Sequence, residues 1–73
     1  MPKLPVLSGS DAVRAFAKAG FRESRRRGSH VMMVRDECPN TLSIPQHNEL
    51  RAGLLRALIR NAEMSVEEFI ELI

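Results

Sequence analysis

The sequence has no tryptophan and no tyrosine, and its only aromatics are Phe16, Phe21 and Phe69. Proteins that stack single-stranded bases need exposed aromatics. Phe16 and Phe69 fall on apolar helical stripes and Phe21 follows a helix-stop glycine, so all three read as core. A stacking platform is therefore disfavoured. Cysteine is represented by Cys38 alone, which excludes an internal disulfide. The two histidines, His30 and His47, have no third nitrogen or thiolate at ligand spacing, so no metal site and no cofactor are expected. No Gly-x-x-x-x-Gly-Lys phosphate loop and no Gly-x-x-Gly loop are present. No apolar run approaches the roughly 20 residues that cross a bilayer. The opening "MPKLPVL" has two prolines and no apolar stretch of signal-peptide length. The expectation is a cytoplasmic protein with no membrane association.

What is present is a globular balance: 44% hydrophobic and 27% charged residues in a chain of 73. That length suits one domain over 1–73, with residues 1–6 as an N-terminal tail. The charge is unevenly placed. All 11 lysines and arginines lie between Lys3 and Arg60, while Glu63, Glu67, Glu68 and Glu71 close the chain. A basic body with an acidic end suits a polyanionic partner, and also an ordinary solvated surface.

Ser8 and Asp11 have capping-box spacing, and Ala12, Val13, Phe16 and Ala17 follow at helical intervals before Gly20. A helix over 9–19 is expected. Residues 21–26, 30–35 and 41–44 read as three antiparallel strands, punctuated by Gly28 and by the turn cluster "DECPN". Leu50, Leu54, Leu55, Leu58, Ile59 and Ala62 mark a second helix. Ser65 and Glu68 repeat the capping box before Val66, Phe69, Ile70 and Ile73. The order α-β-β-β-α-α implies an α+β sandwich, a three-stranded antiparallel sheet covered by helices with a short extra C-terminal helix. Which sheet face is covered is open: His30, Met32 and Val34 share one side, Val31, Met33 and Arg35 the other.

The chemistry concentrates in "RRRGSH" at 25–30. Arg25, Arg26 and Arg27 read as a solvated strand end or as forks for a phosphodiester backbone. Gly28 permits close backbone approach. Ser29 is a poor nucleophile for His30, because adjacent strand side chains face opposite ways. His30 is the one titrating group beside the cations, and an isolated histidine is often incidental. The acids form no persuasive catalytic pair. From the residues alone the reading stops at a small basic α+β domain that binds RNA or phosphate.

The ordered set "LSG" (7–9), "KAGF" (18–21), "RGSH" (27–30), "IPQH" (44–47), "GLLRALIRNA" (53–62) and "SVEEFIEL" (65–72) resembles the HicA toxins, mRNA interferases of bacterial toxin–antitoxin pairs. The resemblance implies a fold similar to a double-stranded-RNA-binding domain and ribosome-independent cleavage of mRNA. It implies His30 as the catalytic histidine and a HicB-like antitoxin that covers the active surface of a monomeric toxin. Arg25, Arg26, Arg27, Gly28 and Ser29 would then touch RNA, with His47 as a further contact or second proton carrier. The alternatives are a non-catalytic RNA-binding module of the same shape and a partner-binding module. The sequence departs from the family at Leu54, where threonine is usual, and at Glu63, where glycine is frequent.

Overall fold

A computed structural model describes residues 3–73, so Met1 and Pro2 of the expected tail lie outside the described residues. The elements are α1 (Gly9–Lys18), β1 (Arg22–Arg27), β2 (His30–Arg35), β3 (Cys38–Pro45), α2 (Ala52–Asn61) and α3 (Val66–Ile70). The strands form one antiparallel sheet in the order β1-β2-β3. The α+β architecture is that expected for the double-stranded-RNA-binding-domain-like fold.

The strand pairing settles the covered face. Val31 lies opposite Ile44 and Met33 opposite Leu42, and all four are buried. Directly opposed residues share a face, so this is the side under the helices. Phe16 anchors the layer above: its ring centroid is 5.8 Å from Phe21 and 5.0 Å from Phe69, so α1, the approach to β1 and α3 meet on one aromatic cluster. The other face carries half-buried Met32 and Val34 with no helix over it.

Both capping boxes form. Asp11 N–H donates to Ser8 Oγ and Ser8 N–H to Asp11 Oδ2, each at 3.1 Å. Ser65 N–H donates to Glu68 Oε1 at 2.8 Å, and Glu68 N–H to Ser65 Oγ at 3.0 Å. The Ser8 N–H, with the Ser8 hydroxyl and Arg14 behind it, holds Asp11 below its ordinary pKa of 3.8. The Ser65 N–H does the same for Glu68, ordinarily 4.5. Carboxylates with depressed folded values stabilise above their unfolded values and lose that contribution as pH falls through the folded ones. Chemical-denaturation midpoints are therefore expected to fall on acidification from about pH 5 to about pH 3. An Asp11→Asn, Glu68→Gln double variant should show a shallower fall, and an unchanged acid slope would refute the capping origin.

The two long helices stop alike. After α1, Gly20 N–H donates to Ala17 O and Phe21 N–H to Phe16 O. After α2, Glu63 N–H donates to Arg60 O and Met64 N–H to Ile59 O. This is the Schellman pattern, which needs a left-handed residue after the C-cap. Gly20 takes that place with φ 99° and Glu63 with φ 61°. The departure from glycine at 63 therefore leaves the helix boundary where it was and puts an L side chain in a disfavoured region. Glu63→Gly is expected to stabilise the fold by about 1 kcal/mol, a rise in Tm of about 4–8 °C for a domain of this size. A lower Tm would contradict this account.

Three expectations are corrected. β3 begins at Cys38 instead of Thr41, and the turn shrinks to Asp36 and Glu37. Cys38 is buried opposite Arg35 and donates its thiol to Asn61 O at 3.3 Å. Pro39 is tolerated because β3 is an edge strand and its pairing is irregular between Arg35 and Met33. Leu54 belongs to the rim, 37% exposed, and not to the core. At about 100° per residue it sits about 90° from the centre of the buried stripe of Leu55, Leu58, Ile59 and Ala62. α3 buries only Phe69; the helix ends at Ile70, leaving Ile73 exposed beyond it.

Arg35 orients the helices. Its guanidinium donates to Ala19 O at 3.0 Å and to Ala62 O at 3.4 Å, and stacks 4.7 Å above the centre of Phe21. One cation thus satisfies the carbonyl ends of both long helices, where a positive charge is favourable. At the opposite end Gly9 N–H donates to His47 O at 2.9 Å and Leu50 N–H to Leu7 O at 2.7 Å. α1 and α2 therefore run side by side in the same direction, both starting at the end of the sheet that holds His30.

Candidate functional site

The site is built on the β1–β2 hairpin. Arg27 and His30 are its closing pair, and Gly28 and Ser29 are its two-residue turn. Gly28 has φ 56° and open space around its α-carbon, so its requirement is conformational: a positive φ at the first central position suits the tight twisted hairpin. Ser29 lies in the turn, outside the strand, and its carbonyl accepts from Gln46 N–H at 2.7 Å. That bond carries the β3 pairing one residue past Pro45, which lies opposite His30.

His30 is exposed and opens β2 between Arg27 and Pro45. Its neighbour Val31 is fully buried, so alternation puts His30 on the face without helices. None of the four ion pairs among the described residues involves His30. Burial by the helices, which would have removed it from chemistry, does not occur.

The three consecutive arginines do not share one face. Arg27 pairs with His30 and Arg25 with Met32, both on the open face. Arg26 pairs with buried Val31, so it belongs to the helix side, where it meets Glu23 at 3.5 Å. A bulge at Ser24 then shifts the register. Glu23 lies opposite Met33 on the helix side, and Arg22 lies opposite Val34 on the open face. Had all six residues of β1 paired in an unbroken ladder, alternation would join Glu23 to Arg25 and Arg27. The bulge puts Arg22, Arg25 and Arg27 on the face that holds His30 and sends the strand's one acid to the other. Arg22 was not legible as a site residue, because a bulge is a property of pairing and not of one strand's sequence.

His47 is exposed two residues beyond Pro45, so both histidines sit at one end of the sheet. It lines a shallow groove of about 380 Å³ with Glu49, Leu50, Arg51 and Leu54. The start of α1 closes against the same corner. A β-carbon on Gly9 would collide with the Pro45 carbonyl oxygen and Gln46, so glycine is what lets the helix seat there. Arg25, Arg27 and Arg51 and the positive ends of two helices thus gather at the His30 end. Asp36, Glu37 and Glu63 lie at the other end with the helix C-termini. Among the described residues no group of three or more His, Cys, Asp or Glu is placed to hold a metal ion. No described helix is long and apolar enough to cross a membrane.

The arrangement suits an anionic chain lying across the open face with one imidazole in reach. A protein-family model described as HicA toxin of bacterial toxin-antitoxin matches residues 9–64, from the first residue of α1 to just past α2. No curated protein matches the chain. The match spans more than three quarters of the sequence and includes the hairpin, both long helices and His30 and His47. The chain belongs to the HicA family, the toxins of bacterial toxin–antitoxin systems.

Proposed function

We propose that this toxin is an endoribonuclease, a ribosome-independent mRNA interferase, with His30 as its proton-transfer residue. The observation that carries the reading is an exposed histidine on the open sheet face, paired across a two-residue hairpin with Arg27 and followed along β1 by Arg25. RNA supplies its own nucleophile. The 2′-oxygen attacks the adjacent phosphorus, the bond from phosphorus to the 5′-oxygen breaks, and a cyclic phosphate and a 5′-hydroxyl result. Neutral imidazole at His30 takes the 2′-hydroxyl proton as a positioned general base. The departing 5′-oxygen takes a proton from solvent, to which this face is open. Arg27 and Arg25 hold the backbone, and Arg27, beside His30, offsets the charge that grows on the phosphate. The Gly28–Ser29 turn offers backbone close to the same phosphate, and His47 is an outer RNA contact. A HicB-like antitoxin covers this face and silences a monomeric toxin in the cytoplasm.

The test is RNA degradation by the purified chain and by His30→Ala, with circular dichroism to show that both are folded. Equal cleavage by the two would sink the assignment. Binding without cleavage by either would favour a non-catalytic RNA-binding module.

A further inference from the structure

We infer that the substrate is held as a single strand along β1, its phosphates on the row Arg27, Arg25 and Arg22, with Arg26 outside the track and Asp36 competing for Arg22. The inference rests on the proposed RNA reading and adds the strand's path, its far contact and a built-in competitor.

The row follows from the register. Arg27, Arg25 and Arg22 lie opposite His30, Met32 and Val34, residues that alternate on β2 and share the open face. Four ladder steps separate its ends, about 14 Å at about 3.4 Å per residue. That length spans several consecutive phosphates of one strand. Along the row, Met32 and Val34 are half-buried and Ser43 lies beyond Met32. Unpaired bases can rest on this mixed surface and on guanidinium planes. A duplex offers no free base faces to it, and a row on one strand follows one backbone.

The three arginines differ in availability. No ion pair among the described residues involves Arg25 or Arg27. Arg22 donates to Asp36 Oδ1 at 3.1 Å, with both side chains mostly exposed. An exposed pair is worth little and is readily exchanged for a phosphate. Asp36 therefore weakens the far end of the track without blocking it. Arg26, on the other face, is held by Glu23.

The experiment measures binding of a 2′-O-methyl RNA of about 16 nucleotides, which lacks the proton cleavage requires, across about 50 to 200 mM salt. Arg22→Ala, Arg25→Ala and Arg27→Ala should each weaken binding and lower the slope of log K against log salt by about 0.7, one single-strand phosphate contact. Arg26→Ala should leave the slope unchanged, and Asp36→Asn should tighten binding. The same RNA as a duplex should bind more weakly. A loss with Arg26→Ala equal to that with Arg25→Ala, no loss with Arg22→Ala, or tighter duplex binding overturns the track. Cleavage of unmodified RNA is scored separately. His30-dependent cleavage with a failed arginine pattern defeats the track alone. The arginine pattern without cleavage supports the track and defeats the nuclease reading.

Discussion

Replacing His30 with alanine is expected to lower RNA cleavage near neutral pH by about 10²–10⁴-fold, the usual worth of a positioned general acid or base. The fold should persist, because the side chain is exposed at a strand end and none of the buried core depends on it. Binding of an uncleavable RNA should change little, since the phosphate grip is assigned to arginines. Loss of rate with retained affinity separates a proton-transfer residue from a binding one. If instead cleavage survives in His30→Ala and is lost in His47→Ala, the proton-transfer role belongs to His47, the second histidine at this end of the sheet. Growth arrest on expression without an antitoxin should follow the cleavage rate across these variants.

Phe16→Ala is expected to cost about 3–5 kcal/mol. Phe16 is fully buried and touches both other aromatic rings, one from the approach to β1 and one from α3. Removing it opens a cavity at the junction of three elements and discards two aromatic contacts. At about 0.05–0.15 kcal/mol per residue, a chain of 73 has about 4–11 kcal/mol in all. The variant should be largely unfolded at the low end of that range and melt far below the native protein at the high end. Thermal unfolding followed by circular dichroism checks it. A loss under about 1 kcal/mol would mean that the aromatic cluster is not where the layers are held together.

The elements were legible because their signals are local. Ser8 with Asp11 and Ser65 with Glu68 announce helix starts, and each capping box forms as spaced. Gly20 announces a stop and supplies one. The family resemblance also lay in ordered short pieces. What the sequence withheld depends on pairing between strands. Both sides of β2 are apolar enough to be inside, so the exposure of His30 was decided by which side the helices cover. Pro39 suggested a turn because the irregular edge that accepts it cannot be read locally. Arg35 looked like the end of a strand; its work at the ends of two helices appears only when Ala19 and Ala62 are brought together. The arginine run looked like one patch, and the bulge divides it.

That bulge also governs how the strand tolerates changes of length. β1 carries one residue more than the stretch of β2 it spans, and Ser24, whose hydroxyl donates to Met32 O at 3.3 Å, is the surplus. Losing Ser24 would leave Arg22, Arg25 and Arg27 opposite the same three partners in an unbroken ladder. Losing Arg26 instead would use up the surplus and bring Arg25 opposite Val31, on the helix side. One position in the strand is thus dispensable in length, and two residues further on the same shortening rearranges the face.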